Sequence, residues 1–545
     1  MRLRLAPGAP AALAAGVVHA ASFAPIAAWW LQSAALAVLV ALLLRVHART
    51  AGGTARAAAL GLAFGSGWFV AGVAWLYVSM HRYGGMPAPI AALALLLFGA
   101  YLACFPAAVC ALTLRAARAA RLAPTAASPG ALAAVGLVFA GCWALSEIAR
   151  GYLFTGFPWL AIGYAHVDGP LAALAPLVGV YGVCAFAALS AFGVGALGMA
   201  AVRGAASRAR ASRAQASTLA TLGVAASLAL APSLVGASLA GHEWSQPAGR
   251  SLAVRLLQGN VEQELKFDPG RSLAAMQAYT AEVLRADADL TVLPETAWTV
   301  PWSATPAALR DALLAHVARG GGALAVGMPL PEQPTAGQAA APRLTNSVAV
   351  IGRDGAIVAR YDKRHLVPFG EFIPRGFGWF VALMHIPLGE FGRGAATQPL
   401  LEIDTQRVAF DICYEDLFGE ELAAQVRDGA TILVNVSNIA WFGDSHALPQ
   451  HLQIARMRAI ELARPVLRAT NTGVTAAIDA RGRVVGALPT YTAGALALAM
   501  QGSVGLTPYA RWGNALPLAL GLALSLSGAL ACLARRRSAR SNPLE

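Results

Sequence analysis

The sequence predicts two kinds of structure in one chain: an α-helical membrane bundle of about eight spans and one α/β domain set before the last span. Three observations lead there. Of the 545 residues, 57% are hydrophobic and 13% charged, with a mean hydropathy of +0.57, which is too apolar for an ordinary soluble protein. Runs long enough to cross a bilayer, about 20 mostly apolar residues each, fill the first 240 residues and recur once near the C-terminus. Between them the texture changes to short β-type runs interleaved with helical patterns.

Seven runs lie near 11–29, 31–46, 57–78, 88–113, 131–149, 170–202 and 216–240, and an eighth near 515–533. The first follows Arg2 and Arg4 and has small residues near His19 to Ser22, as a signal peptide does. Because six more runs follow it, it is read as an uncleaved first helix. Lys and Arg resist translocation, and here they alternate along the connections. Arg2 and Arg4 precede span one; Arg45, Arg49 and Arg56 join two to three; Arg115, Arg118 and Arg121 join four to five; Arg203, Arg208, Arg210 and Arg213 join six to seven. The opposite loops carry Arg82 and Arg150. With Arg535, Arg536, Arg537 and Arg540 at the end, both termini are expected inside. Residues 1–240 then form a seven-span domain, 241–512 an extracytoplasmic domain, and 513–545 the eighth span with a basic cytoplasmic tail. The net charge of +13 is in part this topological signal and is not read as nucleic-acid binding.

Within 251–500 the β-type runs are LAVRLLQ, DLTVLPE, ALAVGMPL, SVAVIGR, RVAFDIC, TILVNVS, PVLRATN and VTAAIDA, with helical patterns near 270–287, 305–318, 416–427 and 449–463. Arg353-Asp354-Gly355 and Ala480-Arg481-Gly482 mark hairpin turns. The segment reads as one α/β domain, large enough for its own core. The sequence shows no internal repeat.

Three residues of this domain stand out. Cys104, Cys110, Cys142, Cys184 and Cys532 fall in predicted spans, leaving Cys413 as the domain's only thiol. It has no partner for a disulfide within the domain, and a lone thiol in an oxidising compartment is a liability unless its reactivity is used. Glu295 ends the apolar run 290–294, where strand C-termini in α/β folds present functional groups. Of 41 Lys plus Arg, only Lys266 and Lys363 are lysine. A compact ammonium differs from a wide guanidinium fork, so a retained Lys363 suits a site with room for a small cation beside a thiolate.

Glu295 in LPETAW, Lys363 in YDKRHLVPFGEFIP and Cys413 in DICYEDLF resemble, in order and context, the Glu-Lys-Cys triad of the nitrilase superfamily. The longer wording is similar to its membrane branch, the apolipoprotein N-acyltransferases: GVAWLYVSMHRYGGMP (72–87), RGYLFTGFPWLAIGYA (150–165) and LLQGNVEQELKF (256–267) extend the match over essentially the whole chain. The resemblance implies a nitrilase-like α-β-β-α sandwich on the periplasmic side of a bacterial inner membrane. It implies no cofactor and a ping-pong reaction. Cys413 takes the sn-1 acyl group of a phospholipid, typically phosphatidylethanolamine, as a thioester, and passes it to the α-amine of a diacylglyceryl-cysteine at the N-terminus of an apolipoprotein. By the same resemblance Glu295 is the base, Lys363 and the Tyr414 backbone N–H hold the oxyanion, and Glu371, Glu415 and Tyr414 have supporting roles. Phe267 stands where the family commonly has Trp, at a lipid-contact position.

Other features are read more plainly. His365, His446 and His451 lack a metal-ligand pattern with Cys413, so no metal is expected. Asp416 is expected to favour a following helix N-terminus. Trp441-Phe442, Phe377, Trp379, Phe380 and Met384 suit loops that dip into the bilayer or pack in ordinary fashion. Glu147, near the end of a span, is expected to snorkel or to pair with Arg150. Two other classes share some of these features: a membrane-tethered amidase hydrolysing a small amide with the same triad, and a transporter or receptor with a dead nitrilase-like domain. Eight spans would be an extravagant tether for the first, and the second would usually have lost part of the triad.

Overall fold

The computed structural model describes residues 8–47, 53–122, 128–206, 213–266, 268–320, 322–333, 343–352, 354–374, 376, 378 and 391–541. Phe267, the patch of Phe377, Trp379, Phe380 and Met384, and Arg2, Arg4, Arg49, Arg208 and Arg210 lie outside the described residues. The chain divides into two compact units, one of Met1–Ala74, Ala92–His242 and Asn514–Glu545, the other of Trp75–Ala91 and Glu243–Gly513.

The first unit is helical. Six helices among the described residues are long and apolar enough to cross a membrane: Trp29–Val46, Ala88–Ala119, Pro129–Thr155, Pro170–Val202, Thr218–Leu239 and Ala515–Ser538. A seventh span results if the bent pair Gly53–Gly72 and Trp75–Tyr83 counts as one. The first predicted run yields only the 12-residue helix Ala9–Ala20, which at 1.5 Å per residue reaches about 18 Å, well short of a bilayer core of about 30 Å. The rest of that run holds Ser22 and Pro25, and proline cannot continue a helix. The count of about eight therefore becomes six or seven.

Small residues let these helices touch. A Cβ on Gly16 would meet the Phe64 carbonyl at 2.0 Å, and one on Gly67 the Leu13 carbonyl at 2.2 Å, so glycine on both sides brings the first and third helices into backbone contact. Pro129–Tyr152 starts on Ser128, whose hydroxyl accepts the Ala131 N–H at 3.2 Å, with proline at the first helical position. Near its far end Glu147 and Arg150, 2% and 1% exposed, form an ion pair. Glu147 also accepts from Trp143 Nε1 at 3.2 Å and from the Ile162 N–H at 3.3 Å, and Arg150 donates to the carbonyls of Phe157 and Trp159. Pairing is thus what Glu147 does.

The second unit holds two six-stranded sheets. The first has the order β12-β1-β2-β3-β4-β5, with β1 Gln246–Gln258, β2 Leu290–Val292, β3 Ala323–Pro331, β4 Leu344–Ile351, β5 Ile357–Asp362 and β12 Gly494–Val504. The second has the order β11-β10-β9-β8-β7-β6, with β6 Leu401–Ile403, β7 Gln406–Ile412, β8 Ile432–Ser437, β9 Val466–Thr470, β10 Ala476–Ile478 and β11 Val484–Ala487. Each sheet has three parallel strands at its centre, β1-β2-β3 and β7-β8-β9, flanked by antiparallel neighbours. Helices Pro269–Val283 and Ala307–Gly320 connect the first three, and Gly419–Arg427 and Ala447–Leu462 the second three. The two halves share one topology although no repeat is visible in the sequence.

Side-chain alternation builds four layers. Val254, Leu256, Val292, Val348 and Val350 of the first sheet meet Val408, Phe410, Ile412, Val434 and Leu467 of the second in one core. The intervening residues point the other way. Leu324, Val326, Ala349 and Ile351 pack with Met276, Val283, Leu313 and Val317 of the first helix pair, while Ala409, Leu433 and Val466 pack with Leu422, Val426, Ala455 and Ala459 of the second. This is the expected α-β-β-α arrangement. Strands apolar on both faces give continuous hydrophobic runs, which is why eight of them were readable. β12, rich in Ala and Gly, has low β-propensity and was not.

The paired charges inside the first unit yield an expected outcome. Glu147→Ala strands Arg150 without its carboxylate and should cost about 3–5 kcal/mol, read as a lower unfolding midpoint of the detergent-purified protein. Glu147→Gln, which keeps an acceptor, should lose less.

Candidate active site

Three strand ends of the second unit bring the candidate residues together. Cys413 follows the last residue of β7 and opens the short helical turn Cys413–Leu417. Its φ of 54° is left-handed, a conformation a cysteine rarely takes and one that surrounding contacts must hold. Those contacts are present: its carbonyl oxygen accepts from Asn435 Nδ2 and from His451 Nε2, each at 3.2 Å. The residue as a whole is half-buried.

Glu295 lies three residues beyond β2 and is 6% exposed. Its Oε1 accepts from Lys363 Nζ at 3.2 Å and from Asn346 Nδ2 at 2.7 Å, and its Oε2 from the Asn438 backbone N–H at 2.7 Å. Gly327 of β3 makes room for this segment, since a Cβ there would meet the Pro294 carbonyl at 2.2 Å. Lys363, just past β5 and 1% exposed, also donates to Glu371 Oε1 at 3.0 Å. Asn346 Nδ2 bonds that same oxygen at 2.7 Å, and the Val367 N–H holds Glu371 Oε2 at 2.8 Å. One ammonium and one amide thus lie between two carboxylates.

Burial and neighbours set the charges. Burial raises the proton affinity of Glu295, but Lys363, Asn346 and the Asn438 N–H outweigh it and hold the carboxyl below its ordinary range. Lys363 stays protonated: burial opposes its charge, and Glu295 and Glu371 more than restore it. The Cys413 thiol is pushed well above the usual thiol range by burial first and Glu295 next, with Lys363 pulling the other way. The resting pair is therefore a thiol beside a carboxylate, the arrangement in which a base takes the proton as the sulfur attacks.

Glu415 and Asp416 serve the turn itself. Glu415 accepts from the N–H groups of Ile412 (2.7 Å), Arg364 (2.7 Å) and His365 (3.0 Å), and from Tyr361 OH (3.0 Å), tying the Cys413 turn to the segment after Lys363. Burial nonetheless pushes Glu415 up to about 7. Tyr414 is buried beside Phe418 and His365. Asp416 does not serve a helix N-terminus, because the next helix begins only at Gly419. It pairs instead with Arg468 at 2.7 Å and with His451 Nε2 at 3.0 Å, and Arg468 also reaches His451 Nδ1 at 2.9 Å.

Of the residues singled out from sequence, Glu295, Lys363 and Glu371 share direct hydrogen bonds, and Cys413 lies within their electrostatic reach. Glu415 and Tyr414 flank it. Trp441 and Phe442 pack within the unit, against Tyr83 and Trp75 at ring distances of 6.2 and 4.4 Å. Sequence reasoning missed Asn346, Asn438 and Asn435, which carry no rare-residue signal, weighed His451 only as a metal ligand, and gave no role to Lys266, which does carry such a signal as the other of two lysines. Among the described residues no His, Cys, Asp and Glu group could hold a metal ion.

Two family models match the chain: one described as carbon-nitrogen hydrolase over residues 253–509, the other as apolipoprotein N-acyltransferase N-terminal domain over residues 15–193. Curated relatives align end to end. The apolipoprotein N-acyltransferase of Ralstonia nicotianae is 47% identical over 541 residues, covering 99% of this chain and 95% of its own. That of Bordetella bronchiseptica is 46% identical over 542 residues, covering 94% of each.

The charge arrangement makes alkylation of Cys413 diagnostic. Iodoacetamide labelling of the Cys413 peptide, followed by mass spectrometry across pH, should rise only well above the usual thiol range. Glu295→Gln removes the charge that raises the thiol pKa, so its labelling curve should move to lower pH. Lys363→Met removes the charge that lowers it, so its curve should move to higher pH. Equal curves for the three proteins would contradict the placement of these charges around the sulfur.

Proposed function

The chain belongs to the apolipoprotein N-acyltransferase family, and from that premise we propose how the residues around Cys413 carry out acyl transfer. It is an acyltransferase with a nitrilase-superfamily domain and membrane-spanning helices. Its family implies a lipid acyl donor and a lipoprotein acceptor. The observation that carries the proposal is the Glu295–Lys363 contact near a thiol held in its protonated form.

In the first half-reaction Cys413 Sγ attacks the sn-1 ester carbonyl of a phospholipid, phosphatidylethanolamine in the first instance, while Glu295 takes the thiol proton. The carbonyl oxygen becomes an oxyanion held by Lys363 Nζ and the Tyr414 backbone N–H. Collapse breaks the ester C–O bond, Glu295 returns its proton to the leaving alkoxide, and a lysophospholipid departs. In the second half-reaction the free α-amine of a diacylglyceryl-cysteine attacks the thioester. Glu295 accepts the amine proton and passes it to the leaving thiolate, restoring the resting pair. Glu371 keeps Lys363 charged and aimed, and Glu415 fixes the turn that presents the sulfur. Phe267 is kept as a lipid-contact position on the strength of the resemblance alone.

We place the enzyme in the bacterial inner membrane, with residues 1–240 as its membrane domain, 241–512 on the periplasmic side and 513–545 as last span and cytoplasmic tail; the alternating arginines support this. Reporter fusions near residues 210 and 350 should report opposite sides, and same-side signals would sink the topology.

Wild-type protein mixed with phospholipid alone should stop at the first half-reaction. Its intact mass should rise by one fatty acyl group, neutral hydroxylamine should remove that mass, and a diacylated lipopeptide should discharge it onto the peptide amine. Cys413→Ala should show none of this, and Cys413→Ser almost none, because a hydroxyl is a weaker nucleophile than a thiol. A hydrolytic amidase would instead let water clear the enzyme, leaving no adduct.

A further inference from the structure

We propose that Lys266 is a second functional lysine of this site, a positioning residue that aims the Glu295 carboxylate by gripping the backbone and side chain immediately behind it. The inference rests on Glu295 being the base. The chain's only two lysines both meet this one glutamate: Lys363 at its carboxylate, Lys266 at its carbonyl oxygen, 3.3 Å away. Lys266 Nζ also donates to Thr296 Oγ1 at 2.6 Å.

That grip answers a local strain. Thr296 has a φ of 50°, costly for any β-branched residue, and it lies in the same turn as Glu295. The loop that delivers Lys266 is tied to the same frame. Asn471 Oδ1 and Nδ2 bond the Val261 N–H and carbonyl at 2.9 and 2.8 Å, and Asn438 bonds both Asn471 and Gln263 at 3.0 and 2.8 Å, while its own N–H holds Glu295 Oε2. Lys266 is 4% exposed and forms no ion pair among the described residues. Burial, only partly offset by Glu295, therefore lowers its amine to about 7. A guanidinium does not fit between a carbonyl and a threonine hydroxyl in the same way, which accounts for lysine in so arginine-rich a chain.

The test is the rate of Cys413 thioester formation from phospholipid, measured across pH. Lys266→Met should lower it about 10- to 100-fold, the scale of a misaimed catalytic group, with the phospholipid concentration dependence unchanged. Its acid limb should also move to higher pH, since a lost positive charge raises the proton affinity of Glu295. Lys266→Arg should lose rate with the acid limb in place, because it keeps charge and spoils position. Thr296→Val should lose rate less, and its effect should not add to that of Lys266→Met. Wild-type rate with an unmoved limb in Lys266→Met overturns the proposal. Should that variant fail to fold, wild-type rates in both Lys266→Arg and Thr296→Val overturn it. Glu295→Gln separates the two readings: normal acylation there removes Glu295 as base, whereas an inert Glu295→Gln beside a normal Lys266→Met removes only the role of Lys266.

Discussion

One buried ammonium holds the candidate site together. Lys363 Nζ, 1% exposed, lies against Glu295 and Glu371 at once. Two carboxylates sharing a site repel each other, and a buried cation without partners is expensive; each problem is the other's remedy. With the ammonium fixed, Glu295 stays ionised while the nearby thiol keeps its proton. The proton thus rests on sulfur, and an ionised carboxylate stands within its electrostatic reach.

Cys413 is braced through its backbone. The Cys413 carbonyl is held by Asn435 and His451, and His451 is locked in turn by Asp416 and Arg468. None of these groups reaches the sulfur through a described contact. They fix an unusual backbone angle, and a rigid backbone angle is what keeps a side chain aimed. Strain at such a residue persists only when its surroundings over-determine it, and here four side chains do.

How far the sequence could be read follows from the kind of signal each residue left. Cys413 was visible because every other thiol fell in an apolar run, Lys363 because arginine replaced lysine almost everywhere, and Glu295 because an apolar strand ended on it. Asn346 and Asn438 left no such mark. Asparagine is common in loops, and its part here arises only when segments 51 and 143 residues away in sequence come within hydrogen-bonding distance. The strands with two covered faces announced themselves as unbroken apolar runs. The alanine- and glycine-rich β12 did not, and the short first helix showed that an apolar run need not be one element when Ser22 and Pro25 lie inside it. The shared topology of the two sheets was invisible because it is kept by strand order and not by residue identity.

β12 carries a consequence for biosynthesis. It pairs with β1 along nearly the whole of that strand, yet the ribosome delivers β1 first and must make the entire second sheet before β12 emerges. Until then β1 is an open edge, a template for unwanted pairing, and closing it requires a contact between distant parts of the chain, which is slow. Glu295 and Lys363 follow strands of the early sheet and Cys413 a strand of the late one, so the three meet only once both sheets have formed. Pairing of the last strand with β1 is the event that seals the early sheet's edge.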